Sequence, residues 1–480
     1  MVFSSLVFLF LFFPLFFTLY YSFPNRFRNY IALAGSLLFY AWGAPRIVFL
    51  LIIASLSDYI ISILMKRLDD NPTYRKYLLT FSICVNVSLL GYFKYANFFV
   101  HEFNKLMAAI GVGSIPWMEV ALPVGISFFT FHKISYVVDV YRRVTKPASN
   151  FPDYLLYMVL FPQLIAGPII RYHDIYEQIE NRAHSLDNFF EGLFRFILGL
   201  GKKVLIANVL GEVSDKIFNL DPASVPVTYA WLGAICYSFQ IYFDFSGYSD
   251  MAIGLGRMMG FHFLENFNMP YISRNITEFW LRWHISLSSW MREYLYIPLG
   301  GNRVSDFQKY VNLWIVFLVS GIWHGANWTF LLWGAYHGLF LSLDKLFWQA
   351  RSLMMNKILS ITITYIMIVF SWVIFRSPDA GYAWKYSLRM LGLTHYAPST
   401  SIIIWEDLLT NRGLFILCLA AVISFLPAFN LYDRFRERIV AATAGIVLDG
   451  TRFAFFTFVA IFSILALSNA KFNPFIYFRF

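Results

Sequence analysis

The stretch Gly321-Ile322-Trp323-His324-Gly325-Ala326-Asn327-Trp328 sets an imidazole inside an apolar run, Leu313 to Leu341, long enough to cross a bilayer. That run also holds Trp333, Tyr336 and a second histidine, His337, and it contains no Asp, Glu, Lys or Arg. A titratable ring at membrane depth is costly to keep and hard to explain as packing, so His324 marks a functional site. His337 is the weaker case, an interior histidine satisfied by a carbonyl one helix away. Ser320, Gly321, Gly325 and Ala326 flank His324 and leave room for another backbone or a substrate to come close.

The rest of the chain has the same character. Of 480 residues, 59% are hydrophobic and 14% charged, where a soluble chain carries about 25% charged residues. The expectation is an all-α polytopic membrane protein built as one integral domain over 1–480. Apolar runs near ~20 residues mark spans at about 1–21, 30–62 (one long or two short), 77–93, 119–140, 154–170, 188–212, 228–248, 311–341 (broken), 356–375, 412–428 and 452–470. Residues 1–21 lack a basic leader and a small-residue cleavage site, and read as a retained span. Cys84, Cys236 and Cys418 lie far apart in apolar segments, which suggests neither a disulfide framework nor a metal site. The net charge of +10 sits in short loops, so it reports topology and not nucleic-acid binding.

Four basic clusters are expected on the cytoplasmic side: Lys66, Arg67, Arg75 and Lys76; Arg142, Arg143 and Lys146; Lys345, Arg351 and Lys357; Arg434, Arg436 and Arg438. The segment Gly211 to Thr228 has one Lys against Glu212, Asp215 and Asp221, and should face outward. Two apolar runs separate Lys146 from it, so one must be re-entrant or interfacial. Pro162, Gly167 and Pro168 single out 154–170.

Between 268 and 302 the chain is semi-polar and dense in Trp, Arg and His. A helix capped by Asn275 or Thr277 is expected to run to about Tyr296, where Pro298 and Gly300 stop it. It would place Glu278, Arg282 and Ser286 on one face and His284, Ser288 and Arg292 on another. An interfacial helix with snorkelling Arg and belt Trp is the plainer alternative. His284 together with His324 favours function. Upstream, Gln240, Asp244, Ser246, Ser249 and Asp250 lie in an apolar span. A carboxylate there needs a cation, and Arg274, Arg282 or Arg292 could supply it for either a structural or a catalytic purpose. The tail at 471–480, Phe475-Ile476-Tyr477-Phe478-Arg479-Phe480 at its end, reads as a segment inserted into a groove or an aromatic anchor at the membrane interface.

These pieces together resemble the membrane-bound O-acyltransferase (MBOAT) superfamily. Its hallmark histidine in a Trp-His-Gly setting matches Trp323-His324-Gly325, and the Trp-His-x-Ser-Leu segment of its bacterial polysaccharide branch matches Trp283-His284-Ile285-Ser286-Leu287. Gly91-Tyr-Phe-Lys-Tyr-Ala-Asn97, Leu122-Pro-Val-Gly-Ile-Ser-Phe128, Leu164-Ile-Ala-Gly-Pro168, Tyr242-Phe-Asp-Phe-Ser-Gly-Tyr-Ser-Asp-Met-Ala-Ile-Gly-Leu-Gly256 and Asn275-Ile-Thr-Glu-Phe-Trp280 resemble alginate O-acetyltransferase membrane subunits of that branch. Peptidoglycan and cellulose acetylation systems share the same motifs.

The resemblance implies an MBOAT fold, a ring of roughly 10–12 transmembrane helices with re-entrant segments around a central catalytic pore, with 268–341 as its catalytic core. It implies an enzyme of the bacterial inner membrane that takes acetyl from cytoplasmic acetyl-CoA. The group then passes to an extracytoplasmic polysaccharide, alginate-like or peptidoglycan, through a periplasmic SGNH-type partner. The resemblance implies no bound cofactor or metal, with acetyl-CoA as the acetyl donor. His324 would act as general base. His284 would orient it, stabilise the oxyanion or return the proton, and Tyr477 would carry the acyl group. Trp323, Asn327, Asp244, Gln240, Ser286 and Arg282 would line the pore or substrate path. A proton-coupled transporter or flippase of envelope precursors is the alternative that intramembrane His and Asp also describe.

Overall fold

The computed structural model describes residues 1–164, 167–395, 405–429 and 445–469, and every regular element among them is helical. Five helices are long and apolar enough to cross a membrane among the described residues: Ile47–Arg67, Pro72–Ala109, Lys357–Arg376, Asn411–Phe429 and Gly450–Asn469. The chain is thus an all-α polytopic membrane protein. It forms two compact units, Met1–Leu193 with Ala252–Leu264, and Phe194–Met251 with Glu265–Phe480.

In the first unit α1 (Phe13–Ser22), α2 (Arg28–Ala41), α3 (Ile47–Arg67), α4 (Pro72–Ala109), α5 (Ile126–Tyr141), α6 (Phe151–Val159) and α7 (Tyr172–Glu180) assemble around a phenylalanine- and tyrosine-rich core. The 30–62 run is two helices, broken where Gly43 and Ala44 turn the chain. Nine-residue α6 spans only ~14 Å at 1.5 Å per residue, too short to cross a bilayer. The proline-marked run is therefore not a straight span, as its sequence suggests. A buried polar knot joins three helices: Asp58 of α3 accepts from Ser82 Oγ at 2.6 Å and Asn86 Nδ2 at 3.2 Å of α4, and pairs with Lys133 of α5 at 3.2 Å. The first two basic clusters meet at one end. Arg75 bonds Asp69 at 2.5 Å and the Val140 and Tyr141 carbonyls, and Arg143 bonds Asp69 at 3.1 Å. They border a cavity of about 1030 Å³ that Lys66, Arg67 and Lys146 also line. Arg434, Arg436 and Arg438 lie outside the described residues.

The second unit takes α8 (Leu186–Gly201) from Phe194 onward, α9 (Asn208–Phe218) and the 32-residue α10 (Val227–Met258) as far as Met251. It continues through α11 (Ile276–Arg282), α12 (Ile285–Met291), α13 (Asp306–His324), α14 (Trp328–Leu343), α15 (Lys357–Arg376), α16 (Ala380–Met390), α17 (Asn411–Phe425) and α18 (Gly445–Asn469). The 311–341 run is a helical hairpin, α13 and α14, that turns at Gly325–Asn327. Gly321 explains how close the two lie: a Cβ there would collide with the Phe330 carbonyl, and one at Gly334 with that of Phe317. Of the small residues beside His324, Gly321 serves backbone approach, and Gly325 leaves room for the Phe330 ring.

Candidate active site

His324 ends α13, where Gly325 turns extended and Asn327 caps α14 by accepting from Thr329 N–H at 3.1 Å. The His324 ring is walled by Trp323 (4.9 Å between centroids), Trp333 (5.0 Å) and Phe375 (5.2 Å) from α13, α14 and α15. Trp333 also contacts His337 at 4.7 Å. His337 Nδ1 accepts from the Trp280 indole N–H at 3.2 Å. The expected partner was a carbonyl; the indole supplies the bond instead, because α11 lays Trp280 across α14.

The helix expected to run unbroken to Tyr296 is interrupted at His284. Asn275 does cap α11, accepting from Glu278 N–H at 2.8 Å, but α11 stops at Arg282. His284 adopts the left-handed region, φ 45° and ψ 52°, and α12 starts afresh at Ile285. That conformation costs about 1–3 kcal/mol for a residue with a side chain. Of the two predicted faces, only the Glu278–Arg282 pair survives, at 2.9 Å. The kink turns His284 inward, where it is 1% exposed and meets Phe245 edge-on at 4.6 Å. Its ring lies 6.3 Å from that of Trp323, so one indole is the shared neighbour of both histidines.

Asn266, which the sequence did not single out, holds this corner. It is 1% exposed. Its side-chain oxygen lies 3.1 Å from His284 Nδ1 and accepts from Ser286 N–H at 3.2 Å and Ser286 Oγ at 2.9 Å. Its amide nitrogen donates to Ser249 Oγ at 3.1 Å. In Phe261-His-Phe-Leu-Glu-Asn-Phe267 it is one polar residue among three, with His262 and Glu265, so no local signal marks it.

The other candidates have different surroundings. Asp244 pairs with Lys203 at 2.5 Å, and Asp250 with Arg195 and Lys202, both at 2.6 Å. The expected donors Arg274, Arg282 and Arg292 are engaged elsewhere. Arg274 bonds carbonyls at Ser352, Leu353 and Met355, Arg282 bonds Glu278 and the Asn268 carbonyl, and Arg292 lies 3.5 Å from Glu293. Lys202 and Lys203 open the π-helical turn Lys202–Ala207 that joins α8 to α9, and Arg195 lies in α8; no sequence spacing reveals their adjacency to α10. Gln240 packs its amide on Gly211, where a Cβ would lie 2.5 Å from Nε2. Asn327 Nδ2 donates to the Pro378 carbonyl at 2.8 Å. Tyr477 lies outside the described residues. Among those described, no group of His, Cys, Asp and Glu could hold a metal ion.

Within this geometry a hydroxyl brought beside His324 would meet a base in an aromatic-walled setting, with a second imidazole also next to Trp323. Such a pair suits acyl transfer, in which one proton must leave the nucleophile and one must reach the leaving group.

Residues 140–379 match the model of the MBOAT, membrane-bound O-acyltransferase, family. The chain is 42% identical to a "Probable alginate O-acetylase AlgI" of Azotobacter vinelandii, with all of both chains covered. It is 43% identical, again over the whole of both, to a protein of that name from Pseudomonas putida. A "Peptidoglycan O-acetyltransferase" of Helicobacter pylori is 38% identical over 82% of this chain and 80% of its own.

Proposed function

Because this chain belongs to the membrane-bound O-acyltransferase family and is an O-acetyltransferase, we propose that it moves acetyl from cytoplasmic acetyl-CoA across the bacterial inner membrane to a polysaccharide. The observation that carries this reading is the pair His324 and His284 around Trp323. Alginate or peptidoglycan is the acceptor class, after the names of the relatives. A periplasmic SGNH-type protein places the group on the sugar.

His324 takes the proton of an attacking hydroxyl as its oxygen bonds to the thioester carbonyl carbon. The tetrahedral intermediate collapses with loss of the C–S bond, and the proton passes from an imidazole to the thiolate. An oxygen ester and free CoA result. His284 orients the ring or stabilises the oxyanion. CoA is polyanionic and stays on the cytoplasmic side, where basic loop residues such as Arg142, Arg143 and Lys146 attract its phosphates. Only the small acetyl group passes the catalytic constriction. The hydroxyl is that of Tyr477, whose ordinary pKa near ~10 makes a neighbouring base necessary.

The test is mass spectrometry of the purified protein after incubation with acetyl-CoA. An acetyl adduct on Tyr477, lost in Tyr477→Phe and in His324→Ala, is expected. CoA release that depends on His324 without an adduct would move the acceptor to the partner or the sugar. Full activity in a folded His324→Ala protein would overturn the reading.

A further inference from the structure

We infer that Asn266 is a positioning residue that sets which nitrogen of His284 carries the fixed hydrogen. A backbone N–H can only donate, so the Asn266 atom facing Ser286 N–H at 3.2 Å is the amide oxygen. A flipped amide would aim NH2 at that N–H, donor against donor, and would lose the donation to Ser249 Oγ at 3.1 Å. The same oxygen lies 3.1 Å from His284 Nδ1. An oxygen that already accepts from Ser286 N–H and Oγ has no hydrogen to give, so Nδ1 is the donor. Whatever lone pair the ring brings to chemistry then belongs to Nε2.

Asn266 also starts the helix that follows. His284 supplies no side-chain cap to α12. The Asn266 main-chain carbonyl accepts from Ile285 N–H at 3.0 Å, and its side chain accepts from Ser286 N–H. One distant residue thus satisfies the first two N–H groups of α12 and the Nδ1–H of the residue before it. Helix start and ring orientation are fixed by a single residue, through its main-chain carbonyl and its side chain. The catalytic consequence rests on the acetyltransferase reading above; the hydrogen placement rests on the hydrogen bonds alone.

Solid-state NMR of the full-length protein in lipid, labelled with ¹⁵N-histidine, reads the placement directly, with His284→Gln identifying the signal. The expected result is a protonated Nδ1 at His284 in the wild type. A bare Nδ1 there overturns the inference. Asn266→Asp offers a carboxylate to the same donors, and is expected to keep both the Nδ1–H signal and kcat within about tenfold. Asn266→Ala is expected to lose the single protonation pattern and to lower kcat by about 10–100-fold, with the change in kcat exceeding that in KM. A folded Asn266→Ala protein with unchanged spectrum and kcat overturns the inference. If that variant does not fold, the wild-type spectrum and Asn266→Asp decide. A wild type with protonated Nδ1 but no acyl transfer sinks the acetyltransferase reading and leaves the placement standing.

Discussion

Asp244 and Lys203 are withdrawn from solvent, with side chains 2% and 4% exposed, and lie 2.5 Å apart. Removing one partner of such a pair strands the other charge, which costs about 3–5 kcal/mol. Replacing both with apolar groups of similar volume costs far less, because no charge is then left in the interior. Lys203→Met is therefore expected to lower the thermal unfolding temperature sharply, and Lys203→Met with Asp244→Leu to recover most of the loss. If the pair is purely structural, the double variant should also retain acyl transfer. A stable but inactive double variant would instead place Asp244 in the chemistry.

The α13–α14 hairpin positions His324, and Gly321 is where the two helices touch. Gly321→Ala must push a methyl into the Phe330 carbonyl, so backbone has to move. A destabilisation of about 1–3 kcal/mol is expected, together with reduced acyl transfer, because the same shift displaces Trp333 from the His324 ring. An unchanged unfolding temperature in Gly321→Ala would contradict this packing. In the first unit, α7 docks on α5 through His173 Nδ1 and Asp139, 2.9 Å apart. That hydrogen bond holds the His173 pKa above its ordinary value, against the opposing effect of burial. A raised folded-state pKa contributes stability that is complete below the unfolded value near ~6.5 and is lost as pH climbs through the folded value. Wild-type unfolding temperature should fall from about pH 6.5 upward by an increment that His173→Gln lacks. Parallel pH profiles for the two proteins would remove His173 from the account.

At the scale of the whole molecule, the proposed function takes the basic end of the first unit as the cytoplasmic side. Arg75 and Arg143 both pair with Asp69, which places the first two basic clusters at the same end of the first unit. In proteoliposomes of one orientation, CoA release is expected only when acetyl-CoA is supplied on the side where a cysteine introduced at Lys66 reacts with an impermeant thiol reagent. Release from acetyl-CoA on the opposite side would break the assignment of donor and topology together.

How much was readable follows from what each feature depends on. Membrane class, the candidate histidines and the non-spanning 154–170 run are local properties of composition, hydropathy and proline placement, and sequence alone determined them; it left the helix cap open between Asn275 and Thr277, and the structure selects Asn275. The family followed because its motifs are contiguous peptides such as Trp323-His324-Gly325. The kink at His284, Lys203 as the partner of Asp244, the indole bonded to His337 and the role of Asn266 depend on groups 18 to 57 residues apart or on different helices. No periodicity encodes which helix faces which, and a buried polar atom takes whichever partner packing brings within reach. Those were decided only by the tertiary structure.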